Sequence, residues 1–191
     1  MVDHDILLQR LKKMFCFSGL LLKWICSYVS NGKHDVYLNG KTNVGRPVIC
    51  GVPQESVLCP LLFTLLMADI DEIILLHELK HHSYAEDNQV CASCPPSDAS
   101  VLREKVLECI DSIQRRMACN HLMLNQTKSE FIWCASPQHV HLIDKSYFIL
   151  KDGRVAVSTI VMNLSTFIDE SVFMNDYIHW LLGHVSTNCV I

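Results

Sequence analysis

The sequence predicts an α+β fold, and three observations predict it. Apolar residues recur at helical spacing in several segments, tight-turn dipeptides (Asn39-Gly40 and Asp152-Gly153) separate alternating segments, and helical and strand patterns succeed one another along the chain. With 191 residues, 50% hydrophobic and 19% charged, the chain can bury the core of one domain and is poorly suited to disorder.

Ile6, Leu7, Leu11, Met14 and Phe15 mark a first helix, and Leu20, Leu21, Trp24, Ile25 and Tyr28 a second after Gly19. Between Asn31 and Gly51 the pattern changes to Val36, Leu38 and the Asn39-Gly40 turn, which predicts a β-hairpin. A loop from Gly51 to Ser56 then feeds a long helix expected over 56–77, with Pro60 tolerated in its first turns. HHSYAEDNQVCAS predicts a second tight hairpin with its tip near Glu86 and Asp87. After Pro95-Pro96, Ser97 is the expected N-cap of a helix to about Cys119, its stripe formed by Leu102, Val106, Ile110, Ile113 and Met117. The segments SEFIWCAS, KSYFILKDGRVAVSTIV and NLSTFID read as strands. No internal repeat or low-complexity linker interrupts them.

The longest apolar run, Val57–Ala68, contains Pro60 and is followed at once by Asp69, Asp71 and Glu72, so no transmembrane span is expected. The first residues place acids before bases, the reverse of a secretory signal, and an intracellular location, cytoplasmic or nuclear, is expected. The ten cysteines lack paired spacings, several fall in apolar runs, and mostly free thiols are expected. The net charge of −4 hides a split. Residues 1–50 hold seven Lys/Arg against three Asp/Glu, so only this quarter offers a phosphate-facing surface, through Arg10, Lys12, Lys13, Lys23, Lys33, Lys41 and Arg46. Solvated helix faces explain the same residues equally well.

Two metal sites compete within residues 75–90. His77-Glu78-Leu79-Lys80-His81 has the HExxH spacing of a zinc hydrolase, which requires both histidines on one helical face and a third ligand. The pattern turns to strand at His82-Ser83-Tyr84, which weighs against it. Cys91-Ala-Ser-Cys94 is half of a zinc or redox site, but no second pair lies at a workable distance. The remaining candidate is the acidic turn Tyr84-Ala85-Glu86-Asp87.

That turn does not stand alone. GVPQESVLCPLLF at 51–63, SYAEDNQ at 83–89 and NHLMLNQTKSEF at 120–131 resemble, in order and spacing, the reverse transcriptases of non-LTR (LINE-type) retrotransposons. VDHDILLQRL resembles the segment after the family's first catalytic block, and NLSTFIDE the primer-grip block. The resemblance spans residues 2 to about 178, so the expected organisation is a partial reverse transcriptase domain over 1–178 and a divergent tail over 179–191. It implies a partial polymerase palm with helices packed on a small, mainly antiparallel sheet. The implied activity is RNA-directed DNA synthesis on an RNA template from a DNA primer.

The chemistry of that family gives these residues their roles. Two Mg²⁺ ions stabilise the attacking and leaving oxygens of an in-line phosphoryl transfer, and Mg²⁺ requires hard carboxylates. By resemblance Glu86 and Asp87 would be metal ligands and catalytic, and Lys128 would assist near the pyrophosphate. Gly51, Pro53, Gln54 and Ser56 would shape the nucleotide and template pocket, and Tyr84 would line the primer side. Taken singly, each residue has an ordinary structural explanation.

The sequence also departs from the family. The third carboxylate would lie before the segment matched by VDHDIL, and the chain begins at Met1, so the metal site is expected to be incomplete, as is the palm, without fingers or thumb. Glu86 stands where the family has aspartate, and its extra methylene moves the carboxylate by ~1 Å, a misplacement that can cost about a hundredfold in rate. Glu55 and Glu78 replace glycines of the family, and Cys59 a small residue. These departures lead us to expect no catalysis. A noncatalytic nucleic-acid-binding or structural domain is the second reading, and a zinc hydrolase the third.

Overall fold

The computed structural model describes residues 2–30, 32–42, 44–52, 56–84, 87–136, 138–151, 153–164 and 166–171. The chain divides into two compact units, Met1–Cys91 with Ser112–Met123, and Ala92–Asp111 with Leu124–Ile191.

The first unit opens with α1 (His4–Lys13), capped by Asp3, whose carboxylate accepts from the backbone N–H groups of Asp5 at 3.0 Å and Ile6 at 3.1 Å. Asp5 in its first turn and Arg10, Lys12 and Lys13 in its last complement the helix dipole. Gly19, at φ +60°, starts α2 (Gly19–Ser30). The buried faces are those that periodicity predicts: Leu7 and Leu11 meet Ile25 and Val29, and α3 (Leu58–Met67) adds Leu62 and Leu66. Each such side chain contributes roughly 1.5–3 kcal/mol by leaving water.

Between α2 and α3 lie β1 (Lys33–His34), β2 (Tyr37–Leu38), β3 (Lys41–Thr42) and β4 (Arg46–Pro47), with β2 pairing β3 inside the β1–β4 pair. Asn39 and Gly40 both take positive φ, +50° and +77°, as a type I′ turn requires.

The long helix expected over 56–77 is two helices, α3 and α4 (Asp69–Leu76), separated at Ala68. Arg10 of α1 explains the interruption. It donates to the carbonyl of Leu66, which a continuous helix would offer to its own backbone, and it grips Asp69 bidentately with both contacts at 2.7 Å. Arg116 also donates to Asp69, and Arg10 reaches Asn120 at 3.2 Å. Arg10, Asp69 and Asn120 are all buried, which removes Arg10 from the expected phosphate-facing set. Its charge is already satisfied inside the protein.

After α4 the chain reverses through a left-handed residue. Glu78 has φ +52°, its N–H donates to Leu75 O at 2.8 Å, and that of Leu79 donates to Ile74 O at 3.2 Å, the paired bonds of a Schellman motif. Ile74 and Leu79 are both buried, the apolar contact such a motif favours. The second hairpin follows as expected: β5 (Lys80–Tyr84) pairs antiparallel with β6 (Asp87–Cys91), from Lys80 opposite Cys91 to Tyr84 opposite Asp87.

The helix expected from Ser97 is α5 (Ala99–Cys119), whose last residues belong to the first unit. Ser97 is not its cap. It lies in a short 3-10 turn, Pro96–Asp98, with its hydroxyl donating to the Asp98 carboxylate at 2.8 Å. Of the expected stripe Ile113 is buried, whereas Leu102, Val106, Ile110 and Met117 are half-buried. The fully buried position is Cys109, three residues after Val106 and four before Ile113. Burial pushes its thiol up to about 11.

In the second unit β7 (Phe131–Ile132) pairs in parallel with β10 (Val157–Ser158). The pairs β8 (Phe148–Leu150) with β9 (Gly153–Val155) and β11 (Ile160–Asn163) with β12 (Thr166–Asp169) are antiparallel. Phe148 is the centre of its core, stacked on Phe131 at 3.8 Å between centroids and overlaid by the Arg103 guanidinium at 4.3 Å. Arg103 also donates to the carbonyls of Ser146 and Tyr147. The fold is therefore α+β and mainly antiparallel. Its strands join in six two-stranded pairs among the described residues, rather than in one small sheet.

Candidate active site

The segment resembling a nucleotide and template pocket begins at Gly51, which needs glycine because its φ is +89°. Its N–H donates to Val2 O at 2.6 Å and its carbonyl accepts from His4 Nε2 at 2.6 Å, so the loop is anchored at the start of α1. His4 had no motif to announce it; only its place beside the Asp3 cap gives a hint. Pro53, Gln54 and Glu55 lie outside the described residues. Ser56 carries a buried Oγ with no hydrogen-bond partner among the described residues. Its backbone carbonyl accepts from Cys59 N at 3.2 Å and so leads into α3.

The acidic turn sits on the β5–β6 hairpin. Tyr84 and Asp87 form its last cross-strand pair, both exposed, with only residues 85 and 86 between them in sequence. Glu86 lies outside the described residues. Lys128 ends a 3-10 turn, Gln126–Lys128, capped by Asn125, and it belongs to the second compact unit whereas Tyr84 and Asp87 belong to the first. Gly51, Ser56, Tyr84 and Asp87 thus share one unit, and Lys128 belongs to the other.

Opposing acids would be needed to hold two Mg²⁺ ions. No group of three or more His, Cys, Asp or Glu side chains that could hold a metal ion forms among the described residues. Of the two expected ligands only Asp87 is among the described residues, and we derive no step through such ions.

The HExxH candidate fails on backbone geometry, and the raised Cys94 thiol does not favour a redox role for the second candidate. The HExxH reading needs a helix through both histidines, but α4 ends at Leu76. His77 is its C-cap, 3.2 Å from Ser112 Oγ, and His81 is in β5, bonded to Asp71. The two imidazoles therefore do not share a helical face. At Cys91–Cys94, partial burial first and Asp98 second push the Cys94 thiol above its ordinary range. Redox-active thiols are shifted the other way.

An α+β chain with an exposed aspartate closing a tight hairpin is compatible with a partial polymerase palm. Residues 1–169 match the family model of the reverse transcriptase (RNA-dependent DNA polymerase). The chain belongs to that family, whose members bind template and primer and generally use a divalent metal. No curated protein matches it. No helix among the described residues is long and apolar enough to cross a membrane.

Proposed function

We propose that the chain is the palm of a LINE-type, non-LTR retrotransposon reverse transcriptase whose catalytic turn has degenerated, leaving a polypeptide that does not synthesise DNA. The observation that carries this reading is the β5–β6 hairpin, closed by Tyr84 opposite Asp87, in a chain that matches the reverse transcriptase family across residues 1–169. Glu86 and Asp87 descend from metal ligands, and Gly51, Pro53, Gln54, Ser56 and Tyr84 from the nucleotide, template and primer surface. Lys128 descends from a residue serving the pyrophosphate. The reverse transcriptase domain extends to about residue 178, and residues 179–191 form a divergent tail.

Two substitutions support inactivity. Glu86 carries its carboxylate farther from the backbone than an aspartate would, and Glu55 adds an anion beside a pocket that must receive phosphates. Ten cysteines scattered without paired spacings suit a reducing intracellular compartment, cytoplasmic or nuclear.

Primer extension on an RNA template with a DNA primer, Mg²⁺ and deoxynucleotides tests the reading. The expected result is no extension above that of an Asp87→Asn control. Metal-dependent extension that the control lacks would overturn the assignment of inactivity.

The second reading, a noncatalytic nucleic-acid-binding domain, is favoured by one observation: Lys12, Lys13, Lys23, Lys33, Lys41 and Arg46 are all exposed. Each phosphate contact made by one of them would contribute about 0.7 to the salt dependence of single-strand binding. Binding that weakens with salt, and whose slope flattens as these six are neutralised, would support it.

A further inference from the structure

His81 is the least exposed residue of β5, its side chain only 9% exposed, although it carries a polar ring on an otherwise open strand. Its Nδ1 bonds the carboxylate of Asp71 on α4, and its Nε2 lies 3.0 Å from the side-chain oxygen of Asn88 on β6. One ring therefore joins the helix before the hairpin, the first strand and the second.

The consequence follows from strand geometry. Successive side chains point to opposite faces, so a one-residue slip moves every side chain to the other face. An isolated two-stranded hairpin is marginally stable, and its register is weakly held when both faces are polar. The β5–β6 pair is such a hairpin among the described residues, with His82, Ser83, Tyr84, Asp87 and Asn88 exposed. His81 lies opposite Val90, and Asn88 lies opposite Ser83, which puts His81 and Asn88 on one face. Asp87, adjacent to Asn88 in sequence, then projects from the other.

We infer that His81 is a positioning residue for the acidic turn: by bridging Asp71 and Asn88 it fixes the register of the hairpin, and with it the face from which Asp87 projects. The importance of that face rests on the polymerase reading of the turn. The clamp itself does not.

Native-state amide hydrogen exchange of the full chain, without metal or nucleic acid, tests the inference. His81→Phe removes both polar contacts and is expected to speed exchange in β6 by about tenfold, leaving Leu7 and Leu11 of α1 unchanged. Asp71→Ala, a change at a half-exposed helix position that spares the core, is expected to reproduce much of that effect. The double variant should be no worse than His81→Phe alone. His81→Asn, which keeps an N–H donor near the position of Nδ1 for Asp71 but does not reach Asn88, should restore only part of the protection. Unchanged exchange in β6, equal acceleration in α1, additive effects of the two substitutions, or no rescue by asparagine would each overturn it. Since no polymerase chemistry enters the measurement, its failure would leave the primer-extension result standing, and the reverse also holds.

Discussion

Glu78 occupies a position built for glycine, and replacing it should stabilise the protein. Its φ of +52° places an L-residue in the left-handed region, where contact between Cβ and the backbone costs roughly 1–2 kcal/mol. Glycine avoids that contact but brings a more flexible unfolded chain, which offsets about 0.5–1 kcal/mol of the gain. Glu78→Gly should therefore raise stability by about 0.5–1 kcal/mol, less any contribution from the glutamate side chain's own contact. For a chain of this size that is a rise in Tm of roughly 1–4 °C. Asparagine tolerates the left-handed region better than most residues, whereas a β-branched side chain fits it poorly. Urea unfolding followed by circular dichroism should thus rank the variants glycine, asparagine, glutamate, valine, from most to least stable. A destabilised Glu78→Gly variant, or valine equal to glutamate, would refute the assignment of strain. Under the zinc-hydrolase reading the same substitution would remove the general base and give no reason for stabilisation.

Three further outcomes are expected. Asp69→Ala strands the buried Arg10 charge and should cost about 3–5 kcal/mol in urea unfolding, whereas the removal of an exposed charge such as Lys12 should change stability by less than about 0.5 kcal/mol. Asp3 has its pKa held below the ordinary range, chiefly by the Ile6 N–H, so its contribution is present above the ordinary carboxylate pKa of 3.8 and fades as pH falls through the lower folded value. An Asp3→Ala variant should accordingly lose stability relative to the parent at neutral pH, and the difference should shrink in acid below that range. Cys109, with its thiol at about 11 and no exposure, should resist alkylation at pH 8 while the exposed Cys16, Cys91, Cys119 and Cys134 react; mass spectrometry of labelled peptides distinguishes them.

Local patterns were legible in the sequence wherever one short-range rule decided the outcome. The apolar stripes of α1 and α2, the paired positive-φ residues at Asn39-Gly40 and the hairpin around 84–87 all follow from residues within a turn or a strand of one another. What escaped depended on distant partners. The interruption at Ala68 comes from Arg10, 56 residues before the carbonyl that it takes at Leu66, and no periodicity within 56–77 contains that information. The same contact turned a predicted surface cation into a buried one. Cys109 was overlooked in the α5 stripe because a thiol is a weaker hydrophobic signal than the leucines and isoleucines around it. At the end of α4 glutamate is a poor marker of a left-handed C-terminal residue, so the helical pattern in the sequence extends one residue past Leu76.

The candidate site was legible as a set of motifs but only partly as geometry. Gly51 was expected by resemblance to shape a pocket, and its left-handed backbone is a further property that the motif did not state. His4, Asp71, His81 and Asn88, which hold the flanking segments in place, belong to no motif and emerged only from the folded contacts.

The most direct measurement is anomalous diffraction from crystals of the protein grown with Mn²⁺, a template–primer duplex and a non-hydrolysable deoxynucleotide. At most one weakly held ion beside Asp87 is expected. Two ions about 3.5–4 Å apart, bridged by Glu86 and Asp87 and closed by a further acid of this chain, would contradict the degenerate turn.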